Sequence, residues 1–409
     1  MKDLHVVILS DFGYVNGGSA AVALASAEGL ARRGHAVTIM SAVGSPSQPL
    51  ESDRIRVVST NQREILEEPS RFRAVLQGTW NVTASRTLRA LLQELNPARS
   101  IVHIHSWTQA LSSSVVRTAL EEGFRVVSTL HDYFAVCPNG TFFDHPKNRI
   151  CHLRPMSAAC IASNCDKRSY LHKIWRVVRQ AVQSQAGGMP TQLRHFIAVS
   201  DFSQSIMAPY LPSTARIYRV SNPIQIDLGP PTPVTRNSAY VMVGNISQGK
   251  GVHLFARAAR ALGYEALFVG DGPCASDVVK LYRGSRVTGW VSREKVTEYL
   301  RTARMLVFPS LWYETEGLSV IEAAALGVPA VVSDSSAARW SIVDGTTGLS
   351  FAGGNEQDLI KKMQSMSEDV VVDRMGQAAY ARYWKNARTM DRHVSELESV
   401  YEQMLAEPA

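Results

Sequence analysis

One short unit occurs twice in this sequence: an apolar strand, a loop carrying three glycines, and a helix. In the first half, residues 6–9 read as the strand, 11–18 as the loop and 19–33 as the helix, with Gly34 as its stop signal. After residue 238 the pattern restarts, with a strand at 240–243, a loop at 244–251 and a helix at 252–262. Continuous apolar runs without alternation suit strands buried on both faces, the situation of a parallel sheet covered by helices. Strands alternating with helices then imply right-handed crossovers. The expected fold is α/β, with two doubly wound Rossmann-like domains.

The rest of the chain fits that frame. Further strands are expected at 36–40, 56–58, 101–105, 125–130, 196–199, 266–269, 304–308 and 328–332, with helices near 84–95, 109–122, 295–303, 318–326 and 389–405. Residues 221–237, rich in proline and polar side chains, separate the halves. The expected layout is an N-terminal domain at 1–222, a linker at 223–238, a second domain at 239–385, and a C-terminal helix within 386–409 packing back on the first domain. A length of 409 residues suits two such domains. Hydrophobic residues at 45% and charged residues at 19% suit a chain with large cores. No apolar run is long enough for a membrane-crossing helix, and the N-terminus lacks a signal-peptide core. A cytoplasmic location is expected, at most peripheral on the inner face of the cell membrane. The formal net charge of +7 favours anionic partners without choosing among them. Nucleic acid is not expected, because the basic residues are dispersed and no aromatic-rich recognition motif is present.

The chemistry concentrates in residues 308–329, FPSLWYETEGLSVIEAAALGVP. A strand ends at Phe308, and a loop presents Glu314 and Glu316. A helix then begins after Gly317, at Leu318, and carries Glu322 in its second turn. Backbone N–H groups at a helix start, with the positive end of the dipole, suit a diphosphate. Carboxylates beside them can accept hydrogen bonds from sugar and ribose hydroxyls.

This segment resembles the E-x7-E motif of retaining glycosyltransferases of family 4, which have the GT-B fold of two Rossmann-like domains facing a cleft. Glu314 and Glu322 stand at its two glutamates, and the resemblance implies that the first holds the donor sugar and the second the ribose. Residues 244–251, GNISQGKG, resemble the family's phosphate loop, with Lys250 on the lysine that neutralises donor phosphate and Asn245 where the family has arginine. VGDGP at 269–273 resembles the glycine turn after a donor-domain strand. VTGWV at 287–291 resembles the segment, with Gly289 and Val291, whose backbone meets the nucleotide base.

In the first half, Gly17 and Gly18 resemble the family's N-terminal glycine loop, where a ligand approaches the backbone closely. His131, in an HDY segment after the strand at 125–130, resembles the histidine near the transferred sugar; a purely structural histidine is the alternative. Ser200 reads first as a helix N-cap and, by resemblance, as an active-site serine. Cys137, Cys151, Cys160 and Cys165 fall in one loop at 137–165 and can either bind a structural zinc or be ordinary loop and core cysteines. The helix within 167–185 carries Lys173, Arg176 and Arg179 with Trp175, which suit either an anionic membrane surface or a packed helix with a solvated basic face.

The resemblance implies a retaining hexosyltransferase. Its donor is a nucleotide diphosphate sugar, its acceptor a saccharide or lipid-linked oligosaccharide, and its setting surface polysaccharide biosynthesis, with no metal or other cofactor needed for catalysis. Lys250, Glu314 and His131 are the expected catalytic residues. A sugar-nucleotide epimerase or hydrolase on the same fold, or a non-catalytic nucleotide-sugar-binding subunit, are the alternatives.

Overall fold

The computed structural model describes residues 4–46 and 52–407. It divides into two compact units. The first comprises Met1–Thr141, Leu153–Pro223 and Arg388–Ala409, and the second Phe142–His152 and Ile224–Ala387. Among the described residues no helix is long and apolar enough to cross a membrane.

The first unit is built on β1 (His5–Phe12), β2 (Ala36–Val43), β3 (Ile55–Ser59), β4 (Ser100–Ile104) and β5 (Arg125–Leu130). A small antiparallel hairpin of β6 (Phe143–Asp144) and β7 (Arg149–Ile150) follows in the chain and belongs to the second unit. The first unit resumes with β8 (His195–Ala198) and β9 (Arg216–Arg219). Its seven strands run parallel in the order β3-β2-β1-β4-β5-β8-β9. Val6, Val7, Ile8 and Leu9 are all fully buried, as their unbroken apolar run requires.

The second unit holds β10 (Ala239–Val243), β11 (Ala266–Val269), β12 (Ser285–Val287), β13 (Ala303–Phe308), β14 (Ala330–Ser333) and β15 (Gly348–Phe351). Its order is β12-β11-β10-β13-β14-β15, again all parallel. In both sheets the chain starts in the middle and winds outward in both directions, so the order reverses beside β1 and beside β10. Ligands of such sheets sit outside the carboxyl ends of the strands at that reversal. The two glycine loops lie there.

The helix Met390–Ala406 belongs to the first unit. Its buried Val394, Leu397, Val400, Tyr401 and Met404 join a core with Ala23, Ala27 and Leu30 of the helix Gly18–Arg32. Gly29 lets the two helices approach, since an added Cβ there would lie 2.5 Å from Val394.

Several local expectations change. The helix expected over 109–122 begins only at Ser114. The buried carboxylate of Asp11 accepts hydrogen bonds from the N–H groups of Gln109, Ala110 and Leu111 at 2.8–3.0 Å, and Ser112 takes φ 64°. These residues therefore form a turn. The loop at 137–165 is not one piece of the first domain, because Cys151 goes with the second unit while Cys137, Cys160 and Cys165 stay in the first. The four sulfurs are not gathered as a ligand set. Instead the Lys173 ammonium, fully buried, donates to Cys160 Sγ at 3.4 Å. Burial works against its charge, and the sulfurs of Cys165, Cys160 and Cys137 outweigh that and leave its pKa raised.

The basic helix is also turned around from the membrane-facing expectation. Within Tyr170–Gln185, Lys173 and Arg179 point inward, and Arg176 pairs with the buried Asp166 at 2.7 Å. Arg179 donates to the Thr108 carbonyl at 3.0 Å. Trp175 packs against Gly78 and donates to Thr79 Oγ1 at 3.3 Å. The outward face carries Leu171 and Val178 instead.

Candidate active site

Two glycine turns and a strand end fix the site in the second unit. After β10 the loop passes through Asn245 to a short 3₁₀ turn, Gln248–Lys250, and Gly251 starts the helix Val252–Leu262 at φ 73°. A side chain at Gly251 would run into the Pro309 carbonyl, so only glycine lets this loop lie against the end of β13. That contact places Lys250 beside the loop at 309–317. Lys250 Nζ stands 2.7 Å from Glu314 Oε1, with both side chains mostly shielded from solvent.

Glu314 Oε1 is the meeting point of three donors. Besides Lys250, Ser310 Oγ donates to it at 2.7 Å and Trp312 Nε1 at 2.6 Å. Lys250 Nζ also sits 5.6 Å from the centre of the Trp312 ring, within cation–π range. Gly249 provides the space, since a Cβ there would lie 2.5 Å from the indole. On the outer side, Phe143 and His145 of the β6–β7 hairpin meet the indole edge to face at 6.0 and 5.8 Å. Trp312 thus holds the pair in place. No motif pointed to it; its neighbour Glu314 did.

Gly317 starts the helix Leu318–Ala325 at φ 94° with no side-chain cap. Its opening backbone therefore keeps the anion-binding character of an uncapped helix start. Glu316 beside it is buried. Glu322 is largely buried, which raises its pKa, while the Arg293 guanidinium, donating to Oε1 at 3.2 Å, opposes the shift. Arg293 lies two residues beyond Val291. It is a cation that sequence reasoning had not singled out, in a site where Asn245 carries no charge and is exposed. Gly289 takes φ 72° and bridges to Gly270, which joins the VTGWV and VGDGP turns. The second unit therefore brings together Asn245, Lys250, Gly289, Val291, Glu314, Glu316, Gly317, Leu318 and Glu322, all at the carboxyl ends of β10–β13.

The first unit carries Gly17, Gly18, His131 and Ser200. Gly17, in extended conformation at φ 176°, precedes the helix starting at Gly18. The backbone there does not require glycine, and a Cβ would meet nothing within 4 Å. Its lack of a side chain leaves the helix start open. Ser200 is the N-cap of Asp201–Met207 in a reciprocal capping box with Ser203.

His131 ends a row of three histidines. His131 Nε2 is 3.0 Å from His105 Nδ1, and the His105 ring lies tilted against His103 with centroids 4.2 Å apart. His103 bonds Tyr401 OH and Thr129 Oγ1, each at 2.7 Å. Burial pulls the pKa of His131 down to about 3, so the ring is neutral at ordinary pH and serves as a hydrogen-bonding group. Burial also lifts the neighbouring Asp132 to about 6. His103 and His105 stand two apart on one face of the β4 end, a period-2 signal readable in the sequence.

A family model described as "Glycosyltransferase Family 4" matches residues 16–228, more than half of the chain, and one described as "Glycosyl transferases group 1" matches residues 237–369. The chain belongs to the GT-B glycosyltransferases. Of the relatives it resembles in sequence, the sulfoquinovosyl transferase of Arabidopsis thaliana is 27% identical over 164 residues, 37% of this chain and 32% of that protein. The glycogen synthase of Mycobacterium tuberculosis is 28% identical over 162 residues, 37% of this chain and 39% of that protein. The matches thus span between about a third and two fifths of these relatives' lengths.

Solved structures resemble the whole chain. Sucrose-phosphate synthase from Thermosynechococcus elongatus gives a TM-score of 0.74 at 16% identity, covering 98% of this chain and 99% of that one. HepE of Anabaena, in complex with UDP and glucose, gives 0.68 at 13% identity, covering 98% and 100%. The lipopolysaccharide outer core galactosyltransferase WaaB gives 0.61 at 14% identity, covering 98% and 99%. These likenesses establish the GT-B fold.

Proposed function

We propose that this protein is a retaining glycosyltransferase of family 4 that moves a hexose from a nucleoside diphosphate sugar to a saccharide acceptor. The observation that carries the proposal is the Lys250–Glu314 pair, fixed by Trp312 and Ser310. Its glutamate lies in the loop that leads into the uncapped start of Leu318–Ala325, and its lysine in the glycine loop after β10. A leaving diphosphate needs cationic and N–H stabilisation at the moment its bond breaks. Lys250 supplies the charge and the helix start supplies the N–H groups. Glu314 is assigned to the donor sugar, Glu316 and Glu322 to donor hydroxyls and ribose, and the 287–291 turn to the base. His131, neutral, is assigned to a sugar hydroxyl, and Ser200 remains a second polar group on the first unit. The UDP and glucose bound to HepE support a nucleotide-sugar donor.

The acceptor is proposed to be a lipid-linked oligosaccharide in surface polysaccharide synthesis, with the protein peripheral on the inner face of the cell membrane. Support comes from the first unit's surface. Leu66, Phe72 and Leu76 are 52%, 72% and 51% exposed, and Leu171 and Val178 are 80% and 50% exposed. They lie on or beside two packed helices, Arg71–Thr79 and Tyr170–Gln185. Arg71, Arg73, Lys167 and Arg168 are exposed around them. Apolar side chains with a basic rim suit an anionic leaflet.

The test is product analysis with UDP-, GDP- and ADP-hexoses, with and without acceptor, reading the anomeric configuration by NMR. Transfer with retention is expected. Loss of one charge-assisted contact costs about 1.5–3 kcal/mol, so Lys250→Ala is expected to lower kcat/KM by roughly 10–100-fold. Acceptor-independent release of sugar, or an epimerised donor, would overturn the assignment.

A further inference from the structure

We infer that His253, Cys274 and Asp277 form a binding site for a divalent metal of the zinc class. One ligand atom from each lies within 4.8 Å of the other two, and His253 Nε2 is 4.0 Å from Asp277 Oδ2. The donors are one nitrogen, one sulfur and one carboxylate oxygen. That mixture suits zinc or cobalt and not magnesium or calcium, which take oxygen.

Zinc sits about 2.3 Å from sulfur and about 2.0–2.2 Å from nitrogen or oxygen, so tetrahedral ligands lie roughly 3.3–3.8 Å apart. The observed spacing closes to that value by small side-chain rotations. His253 and Asp277 have the freedom to make them, with side chains 32% and 54% exposed. Cys274 is the fixed member. It caps the helix Ala275–Leu281, and its N–H donates to the Ile246 carbonyl at 2.9 Å. The Gln248 N–H reaches its sulfur and favours the thiolate. Burial and the Asp277 charge act the other way and raise the thiol's pKa.

The site joins the first turn of Val252–Leu262 to the turn after β11. Both flank the loop that carries Lys250, so a bound metal would tie down the backbone at 244–251 from behind.

The test uses the full chain, stripped with chelator and titrated with cobalt(II) in the absence of any sugar nucleotide. A tetrahedral d–d spectrum with a thiolate-to-cobalt charge-transfer band is expected at one equivalent, bleached by zinc. Cys274→Ser is expected to abolish the charge-transfer band and Asp277→Asn to weaken cobalt binding at least tenfold. Cys160→Ser is expected to leave both signals unchanged. All three variants are compared only where their metal-free melting matches the wild type. No band in the wild type, or a band that survives Cys274→Ser, overturns the site. A band lost in Cys160→Ser instead assigns the metal to the cysteine loop and also overturns it.

Discussion

Glu314 Oε1 accepts from a lysine, a serine and an indole at once. One donor is a cation that the reaction needs elsewhere. When Lys250 turns to phosphate, Trp312 and Ser310 keep Glu314 in place, so the carboxylate need not reorganise. Trp312→Phe keeps an aromatic ring near Lys250 but removes the N–H together with the pyrrole half of the indole. It is expected to lower kcat by roughly tenfold, with KM nearly unchanged, since a hydrogen bond to a charged group is worth about 1.5–3 kcal/mol and part is recovered by water. Steady-state kinetics on the donor checks this; an equal fall in donor affinity would show that Trp312 acts on binding. Lys250, Glu314 and Glu322 were legible because loop glycines and a helix start surround them. Trp312 and Arg293 were not: Arg293 reaches Glu322 across the fold, and Trp312 shows its role only once the loop folds its N–H back onto Glu314 two residues on. Nothing in their own spacing marks a partner.

At the scale of elements, hydrophobic patterning found most of the longer strands and helices to within a few residues, but it did not locate the helices Arg71–Thr79, Glu356–Ser365 and Asp369–Lys385. It missed β9, β12 and β15, of three or four residues each, where polar side chains interrupt the apolar run. It also assigned the basic face of Tyr170–Gln185 to the outside. Composition could not show that the partners of those cations are a buried aspartate, a carbonyl and cysteine sulfurs.

The end of β4 makes a measurable prediction. Burial depresses His103 and His131 to about 3 and His105 well below its ordinary value of 6.5. A histidine with a depressed folded pKa contributes stability that is complete above 6.5. That stability is lost as pH falls toward 3, because only the unfolded chain takes up protons. The melting temperature is therefore expected to fall as pH drops from 6.5 to 4.5, and to fall less in His105→Gln. Parallel profiles for the two proteins would remove the histidines as the cause.

At the scale of the molecule, the proposed membrane surface is apolar first and basic second, which reverses the expected order of importance. Binding to phosphatidylglycerol vesicles is expected to drop severalfold in a Phe72→Ser, Leu171→Ser variant while enzyme activity on a soluble acceptor persists. Salt alone is expected to weaken binding only in part, because apolar burial is not screened. Retention of vesicle binding by this variant would remove the patch from consideration.

The helix Met390–Ala406 completes the core of the unit that contains the N-terminus. A ribosome that has delivered everything through residue 387 has released all of the second unit, while the first still exposes the groove meant for Val394, Leu397 and Tyr401. The half translated first thus finishes folding last. Ending the chain after Arg388 is expected to leave the second unit's calorimetric transition in place and to abolish the first unit's. Late truncations are thus expected to damage the unit that holds the earliest residues most.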